Sequence, residues 1–375
     1  MAEQQIIYAD ASYEALSKWI LGTNAKSVLL VADASLPFLK VKDFFERWEA
    51  EGCTPRLVRF SDFQPNPRYE SVLAGVEVFR RENCGAVIAV GGGSAMDVAK
   101  CILLYAGLPG DGKDGSFLKA ELPAETVPFL AMPTTAGTGS EATRFAVIYY
   151  QGAKQSVASW SCIPGTVLFD PSCLKTLPLY QKKATMADAL CHAIESYWSV
   201  NSTEESRRYS EEAIRAVLRN LDGYLANTDE GNAGMLKAAH TAGQAINITQ
   251  TTAGHAMCYK LTSIYGAAHG HAALLCGRVL FPHMIRNTDK CIDPRGESYL
   301  KETLDRIGQA LGEKDAEGGA KKLEALFEML ELPVPELSEE KLPELVSSVN
   351  PVRLKNHPIR LDAETIEALY RKILK

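Results

Sequence analysis

The segment that most constrains the fold is AVIAVGGGSAMDVAK, residues 86–100, in which an apolar run leads directly into three glycines. Ala86–Val90 has the length and composition of a buried strand, and a helical pattern begins at Ser94. We expect Ser94 to cap that helix, with Asp97 completing the capping arrangement. Glycines allow a ligand close to the backbone, and a helix N-terminus offers free N–H groups and a partial positive charge. The segment suits a pyrophosphate, although a glycine-rich turn before a capped helix has the same pattern.

The first half of the chain alternates strand and helix patterns. Apolar runs bounded by turn residues predict strands at Ser27–Asp33, Arg56–Phe60, Ala86–Val90 and Pro128–Met132, and helical periodicity lies between them at Pro37–Glu51, Arg68–Asn83 and Ser94–Tyr105. This alternation predicts a parallel sheet covered on both faces. Arg144–Tyr150 and Gln155–Trp160 predict a hairpin added to that sheet, and Thr166–Asp170 predicts one more strand.

The pattern changes after Pro178. Long helical patterns follow at Gln181–Val200, Glu204–Ala226, Ala233–Gln250, Lys321–Leu330 and Ala363–Ile373. We therefore predict an α/β dinucleotide-binding domain over residues 1–178 and an all-helical domain that binds metal and substrate over residues 179–375.

Composition excludes several classes of function. The 375 residues carry a formal net charge of −6, which argues against a nucleic-acid platform but does not exclude a small anionic substrate. The N-terminus lacks the pattern of a secretory signal, and no apolar stretch approaches the ~20 residues that a membrane span needs. Nine cysteines without a C-x-x-C pair suit reduced thiols. We expect a cytoplasmic protein without nucleic-acid or membrane partners.

A second polar loop follows the strand pattern that ends near residue 132. PTTAGTGSEAT, residues 133–143, carries hydroxyls at Thr134, Thr135, Thr138 and Ser140. Two polar glycine loops at successive strand ends fit a nucleotide above a parallel sheet, although this loop alone could be a polar surface segment. Asp33 ends the first strand pattern. It is either a helix cap or the partner of a ribose 2′-hydroxyl, a role that favours NAD over NADP.

Four residues form a candidate metal site in the second half. Asp188 and His192 are four residues apart in a helical pattern, so they share one helix face, and His255 and His269 follow. One carboxylate and three imidazoles suit Fe²⁺, Zn²⁺, Co²⁺ or Ni²⁺. Spacing alone leaves a structural role open for each of them. His271 could substitute for a ligand or support one, whereas we interpret His240, His283 and His357 as structural.

These segments together resemble the iron-containing (group III) alcohol dehydrogenases, a family related in fold to glycerol dehydrogenase and dehydroquinate synthase. GGGSAMDVAK, PTTAGTGSEAT, MADALCHAIES and GAAHGHA occur in the order typical of that family. The resemblance covers almost the whole chain. It implies an N-terminal dinucleotide-binding domain, a C-terminal helical domain and a metal between them, usually iron and in some relatives zinc.

The resemblance also implies roles for individual residues. The implied metal ligands are Asp188, His192, His255 and His269. Residues implied to line the cofactor are Gly92, Gly93, Ser94, Thr134, Thr135 and Lys154, with Asp97 near the nicotinamide end. Many members have a further histidine four residues after the third ligand, next to the nicotinamide. This chain has Tyr259 there, so the proton relay passes through Tyr259 or through water and the cofactor ribose.

Four segments are similar to the phosphonoacetaldehyde reductase branch, which makes 2-hydroxyethylphosphonate: EATRFAVIYY, ESYWSVNSTEES, HAMCYKLTSIYGAAHGHA and NPVRLKNHP. Arg144 and Lys260 add positive charge beside the cofactor and metal segments, and either could hold a phosphonate. Alternatively, Arg144 faces solvent or a cofactor phosphate, and Lys260 is a surface charge.

The sequence therefore predicts a homo-oligomeric enzyme that reduces a small aldehyde to a primary alcohol with a divalent metal and NAD(H) or NADP(H). Phosphonoacetaldehyde is the first candidate substrate. One alternative is a family dehydrogenase for a neutral alcohol, diol or lactaldehyde. A further alternative is a lyase of the dehydroquinate synthase type, which recycles NAD within each turnover; the segment GGGSAMDVAK disfavours it. The last alternative is a non-catalytic nucleotide-binding protein, which the four ligand candidates disfavour.

Overall fold

The computed structural model describes residues 4–375. The chain folds into two compact units. The sheet unit comprises the described chain up to Thr135 together with Ser140–Leu177, and the helical unit comprises Ala136–Gly139 and Pro178–Lys375. Within the described residues, no helix combines the length and apolar character that crossing a membrane requires.

The strands are β1 Gln5–Tyr8, β2 Ser27–Ala32, β3 Arg56–Phe60, β4 Cys84–Gly91, β5 Phe129–Pro133, β6 Phe145–Tyr150, β7 Ala153–Ala158 and β8 Thr166–Phe169. The helices of the sheet unit are α1 Glu14–Gly22, α2 Val41–Ala50, α3 Tyr69–Arg81 and α4 Gly93–Ala106. The helices of the helical unit are α5 Leu179–Trp198, α6 Glu204–Leu225, α7 Asp229–Thr249, α8 Ala253–Tyr265, α9 His269–Arg286, α10 Glu297–Ala310, α11 Ala316–Met329, α12 Leu342–Ser347, α13 Pro351–Leu354 and α14 Ala363–Ile373.

Six strands of the sheet unit form one sheet in the order β1-β8-β5-β4-β2-β3. All five pairings are parallel. Every residue of β2 is buried, because apolar clusters cover both faces of the sheet. The chain runs outward from β2 to β3 and then returns past β2 to β4, so the strand order reverses between β2 and β4. A crevice at such a reversal is where open parallel sheets bind ligands.

The predicted α/β fold is confirmed, and several local expectations are wrong. The hairpin β6–β7 exists, but it forms a separate two-stranded sheet instead of extending the main one. Alternate residues of β6 face the core, so Ala146 and Ile148 are buried in the apolar cluster that also contains residues of α4. Strand β1, too short to show a pattern, was missed, and Pro37–Glu51 divides into a 3₁₀ turn at Leu36–Phe38 and helix α2.

The expected cap of α4 is also wrong. The N-cap residue is Gly92, without a side-chain cap, and Ser94 already lies inside the helix. Asp97 instead accepts hydrogen bonds from the Ser140 hydroxyl and the Val147 N–H, each at 3.0 Å. Its carboxylate therefore ties α4 to the polar loop and to β6.

The helical unit is arranged around α5, which packs against α6, α7 and α9. Every residue of α5 from Met186 to Trp198 is buried, including Asp188, His192 and Glu195. Charged groups at such depth require partners, because desolvation without compensation is costly. The segment Ala136–Gly139 packs into this unit closely: a Cβ at Gly137 would lie 2.7 Å from the Thr185 carbonyl, and one at Gly139 would lie 2.6 Å from Gly243 Cα.

A buried lysine organises the polar loop of the sheet unit. Lys100 is 0% exposed, and its Nζ donates to the carbonyl oxygens of Ser140 at 2.6 Å, Thr143 at 2.7 Å and Phe145 at 2.8 Å. These three bonds hold the chain after the loop against α4.

Replacing Lys100 with Met keeps the aliphatic stem but removes three donors from buried carbonyls. We expect Lys100→Met to lower the free energy of unfolding by about 3 kcal/mol or more, because each orphaned acceptor retains its desolvation penalty. Denaturant unfolding followed by circular dichroism measures this change. Lys119→Met, at an exposed position, is the control and should stay within about 0.5 kcal/mol of wild type. Equal stability of both variants would contradict the assigned role.

Candidate metal centre and cofactor edge

Several of the residues predicted to bind the cofactor follow strand ends at the carboxyl edge of the sheet. Asp33 directly follows β2, and the last residues of β4 and β5, Gly91 and Pro133, lie opposite one another in register. The Thr134 N–H donates to the Gly91 carbonyl at 3.0 Å. The glycine loop and the polar loop are therefore neighbours beside the point where the strand order reverses.

Asp33 connects two of these strand ends. One carboxylate oxygen accepts from the Ser35 N–H at 2.9 Å and from its hydroxyl, and the other accepts from the Gly92 N–H at 3.1 Å. Gly91 has φ +154°, and a Cβ there would lie 2.4 Å from Asp33 Oδ2. A side chain at Gly91 would therefore displace the Asp33 carboxylate from the Gly92 N–H. The N–H groups of the first turn of α4 have no partner within the helix, and they remain available to an anion.

The other cofactor candidates have different surroundings. The side chain of Thr135 lies next to Gly92, with 3.4 Å between its Cγ2 and a Cβ built at the glycine. Burial raises the pKa of Asp97 to about 6, against the opposing charges of Lys100 and Lys154. Lys154 is exposed on β7, whereas Thr138 lies in the four-residue segment that belongs to the helical unit.

The metal candidates converge on one carboxylate oxygen of α5. The Nε2 atoms of His255, His192 and His269 lie 3.3 Å, 3.8 Å and 3.8 Å from Asp188 Oδ1. Asp188, His255 and His269 form the tightest group, with ligand atoms within 4.8 Å of one another. The His192 ring stacks on His255 at 4.4 Å between centroids. The chain thus brings all four predicted ligands together.

These distances fit one shared cation. Two donors bound to the same ion at ~2.1 Å in tetrahedral geometry are about 3.4 Å apart. The three distances from histidine Nε2 to Asp188 Oδ1, 3.3–3.8 Å, are close to that value. Burial lowers the pKa of His192, which favours the neutral imidazole that a metal requires. Burial raises the pKa of Asp188, but the three imidazoles outweigh it and keep the carboxylate charged.

Glu195 orients His255 from behind. Its Oε1 accepts from His255 Nδ1 at 2.6 Å, and its Oε2 accepts from the N–H and hydroxyl of Thr252 at 2.6 Å and 2.7 Å. With Nδ1 engaged, Nε2 of His255 is the ring atom that faces the cluster, and it would bind a cation on losing its proton. Burial opposes charge on both partners, yet their attraction lowers the pKa of Glu195 to about 2 and raises that of His255 to about 9. Glu195 lies seven residues after Asp188, on the same helix face, and this spacing could have revealed it.

Two glycines let the ligand helices approach α5. A Cβ at Gly270 would lie 2.0 Å from the Ala184 carbonyl and 2.5 Å from Asp188 Cβ. A Cβ at Gly254 would lie 2.4 Å from Glu195 Oε1. Each glycine is adjacent in sequence to a candidate histidine ligand, so the residue pairs Gly254–His255 and His269–Gly270 combine an imidazole with the space that it needs.

The surroundings of the cluster are aromatic. The ring of Tyr259 stacks on His269, with 5.6 Å between centroids and an interplanar angle of 12°. Burial raises the pKa of Tyr259 well above its usual value, so its phenol stays protonated at neutral pH. His271 uses both ring nitrogens elsewhere, at 3.0 Å from the Tyr180 hydroxyl and 2.9 Å from the Pro333 carbonyl.

The two cations suggested for a phosphonate already have partners. The Arg144 guanidinium lies over the rings of Trp160 and Phe145, at 4.3 Å and 4.8 Å from their centroids. Lys260 Nζ forms an ion pair with Glu344 at 2.8 Å.

Comparison with known proteins identifies the class. Residues 3–171 match the family model of iron-containing alcohol dehydrogenases, and residues 182–374 match the model of the C-terminal region of the same family. The chain therefore belongs to the iron-containing alcohol dehydrogenase family. This confirms the predicted fold and the predicted class of enzyme, an oxidoreductase of the alcohol dehydrogenase and aldehyde reductase type.

Individual relatives differ in substrate. The phosphonoacetaldehyde reductase of Streptomyces viridochromogenes is 33% identical over 80% of this chain and 79% of its own length. The 1,3-propanediol dehydrogenase of Citrobacter freundii is also 33% identical, over 70% of this chain and 68% of its own. The sulfoacetaldehyde reductase of Bifidobacterium kashiwanohense, solved with NAD⁺, has a TM-score of 0.84 and 25% identity, covering 100% of this chain and 97% of its own.

We expect Glu195→Gln to weaken Zn²⁺ binding by about 10- to 100-fold, because the amide no longer supports His255 with a full charge. Competition with a chromogenic chelator measures the affinity without requiring turnover. Glu212→Gln, exposed on α6, is the matched control and should bind Zn²⁺ like wild type. Unchanged affinity in Glu195→Gln would show that Glu195 has only a structural role.

We expect Gly270→Ala to lower both the melting temperature and the metal affinity, because the new methyl group forces α9 away from α5. Gly277→Ala, on the same helix, is the control, since its Cβ would meet only Cys191 Sγ at 3.6 Å. Alanine is favoured over glycine within helices by about 1 kcal/mol, so the control should be as stable as wild type or more stable. Wild-type metal affinity in Gly270→Ala would refute the steric argument.

Proposed function

We propose that the chain is a metal-dependent, NAD(H)-linked aldehyde reductase whose preferred substrate is phosphonoacetaldehyde. In this proposal the cation is held by Asp188, His192, His255 and His269, with Fe²⁺ as the first candidate and Zn²⁺ as the alternative. The observation that supports the metal role most directly is the convergence of three imidazole nitrogens on Asp188 Oδ1. A surface ion pair gives a carboxylate one partner, whereas Asp188 is faced by the buried imidazoles of His192 and His255 and by the partly exposed imidazole of His269.

The cofactor is proposed to bind along the carboxyl edge of the sheet. Residues proposed to line it are Asp33, Gly92, Gly93, Ser94, Asp97, Thr134, Thr135, Thr138 and Lys154. Support comes from the adjacency of the two loops and from the free N–H groups at the start of α4. The carboxylate of Asp33 would repel a 2′-phosphate, which favours NAD over NADP.

When bound, a divalent cation would polarise the aldehyde carbonyl, and reduced nicotinamide would supply the hydride. The contribution of the chain is positioning and proton transfer. Glu195 and Thr252 fix the orientation of the His255 ring, and Gly270 allows Asp188 and His269 to meet. We propose that Tyr259, whose ring stacks on His269 and whose phenol is protonated at neutral pH, donates the proton that completes the alcohol.

The choice of substrate rests on the relatives with anionic aldehydes. Phosphonoacetaldehyde and sulfoacetaldehyde, named for two of the similar proteins, are both two-carbon aldehydes with an anionic head group. The equal identity to 1,3-propanediol dehydrogenase favours a second candidate, a dehydrogenase for a neutral alcohol or diol. Nothing comparable favours a lyase that recycles NAD.

The decisive experiment measures NADH and NADPH oxidation by the Fe²⁺- and Zn²⁺-loaded enzyme with phosphonoacetaldehyde, acetaldehyde and propionaldehyde. We expect kcat/KM for phosphonoacetaldehyde to exceed the others by about 100-fold or more. This preference should decline with ionic strength, since salt screens charge recognition. The chelator-treated enzyme and His255→Ala should be inactive. Equal rates for charged and neutral aldehydes would refute the proposed substrate, and full activity without metal would refute the proposed centre.

A further inference from the structure

An arginine on the short helix α13 lies near the metal cluster. Arg353 is half-buried, and α13 packs against α8, the helix that carries His255 and Tyr259. Its Nη1 donates to Gln250 Oε1 at 3.0 Å. Within residues 4–375, Arg353 forms no ion pair with a carboxylate, whereas the nearby Lys260 is neutralised by Glu344. A partly desolvated guanidinium without a counter-ion favours an anion.

Tyr259 connects this guanidinium with the metal ligands. The tyrosine ring stacks on His269. At the same time the charge of Arg353 reaches the phenol and lowers its pKa, although burial, the larger influence, raises it. The side chain of Thr251, next to Gln250, also hydrogen-bonds Tyr259. One aromatic residue thus adjoins both a metal ligand and the cation.

The backbone of Gln250 is strained. Its φ of 61° and ψ of 176° lie in a region that is essentially restricted to glycine. The conformation is held by the bonds from Gln250 N–H to the Ile246 carbonyl at 2.8 Å and from the Thr249 hydroxyl to the Gln250 carbonyl at 2.9 Å. Such outliers persist where surrounding structure enforces them, and they concentrate at functional sites. From this strained position the Gln250 side chain accepts the hydrogen bond of Arg353.

The two side chains together offer donors and positive charge but no negative charge. Gln250 Oε1 is occupied by Arg353, which leaves the amide NH₂ of Gln250 and the remaining N–H groups of the guanidinium to donate. Phosphonate oxygens are acceptors only, and the planar guanidinium can bind two of them at once. In phosphonoacetaldehyde one methylene separates the carbonyl carbon from phosphorus, so the cation that binds the head group must lie close to the metal.

We propose that Arg353, oriented by Gln250, binds the anionic head group of the aldehyde substrate and sets the specificity of the enzyme. The inference rests on the proposed function, because it assumes an aldehyde with a charged head group. It assigns the binding role to Arg353 in place of Arg144 and Lys260, whose charges already lie over aromatic rings or against a carboxylate.

The main test compares Arg353→Ala with wild type on phosphonoacetaldehyde and propionaldehyde. We expect kcat/KM for phosphonoacetaldehyde to fall by about 100-fold, with most of the change in KM, because a charged partner is lost. The value for propionaldehyde should stay within about twofold, since a neutral chain makes no ion pair. Arg353→Lys should recover part of the loss, as a point charge lacks the bidentate geometry.

Two further variants act as controls. Lys355→Ala removes an exposed charge two residues away and should leave both substrates unaffected. Lys260→Ala tests the competing assignment: loss of the phosphonate preference in Lys260→Ala but not in Arg353→Ala would overturn the proposal. An equal loss on both aldehydes in Arg353→Ala would also overturn it, because that result indicates a structural role.

Methylphosphonate provides a test that is separate from phosphonoacetaldehyde turnover. With propionaldehyde as substrate, methylphosphonate should inhibit wild type competitively, and Arg353→Ala should lose this inhibition while it retains wild-type Zn²⁺ affinity. If wild type shows no preference for phosphonoacetaldehyde, the proposed function fails. If wild type has the preference and Arg353→Ala keeps both the preference and the inhibition, only the role of Arg353 fails.

The role of Gln250 has its own signature. Gln250→Gly removes the side chain and also relieves the backbone strain, so we expect a melting temperature equal to or above that of wild type. The KM for phosphonoacetaldehyde should nevertheless rise, because Arg353 loses its orienting partner. A stable variant with an unchanged KM would show that Gln250 does not position the guanidinium.

Discussion

The close approach of α9 to α5 is the contact on which the candidate metal centre depends. Gly270 touches the Ala184 carbonyl and Asp188 without space for a methyl group, and only this proximity places His269 beside the carboxylate that His192 and His255 also face. Glu195 then fixes the His255 ring from the opposite side. Steric fit sets the distances between the donors, and the buried hydrogen bonds set their directions. A cation bound there would displace protons from the imidazoles, and the neutral rings would no longer repel one another.

In the sheet unit, backbone N–H groups at the carboxyl ends of the strands are exposed while the surrounding loops stay ordered. The parallel register brings Gly91 and Pro133 together, Asp33 joins the ends of β2 and β4, and Lys100 satisfies three carbonyls of the segment that follows the polar loop. Groups that would be free in an isolated loop are thereby held in one conformation. Preorganisation of this kind reduces the entropy lost when a ligand binds.

Much of this arrangement could be predicted from the amino-acid sequence. Local periodicity and glycine spacing gave the buried strands, the long helices and the order of the loops, and the four-residue interval placed Asp188 and His192 on one face. Contacts between distant segments were not accessible in this way. The hairpin was assigned to the wrong sheet because alternation shows which face is buried but not what covers it. The segment NPVRLKNHP contains Arg353, but the sequence does not show that this residue lies near Tyr259, because that proximity depends on how α13 packs on α8.

The segment Ala136–Gly139 has a consequence for how such proteins can change. These four residues lie between two stretches of the sheet unit but belong to the helical unit, where Gly137 and Gly139 fit against α5 and α7 without room for a Cβ. The chain therefore passes from one unit to the other three times, not once. Recombination at a single junction therefore cannot exchange one whole unit for that of a relative. An exchange near residue 178 would combine residues 136–139 of one protein with helices α5 and α7 of another, which did not evolve around that segment. Substrate range in this architecture is accordingly expected to diversify by point substitution around the cluster rather than by domain shuffling.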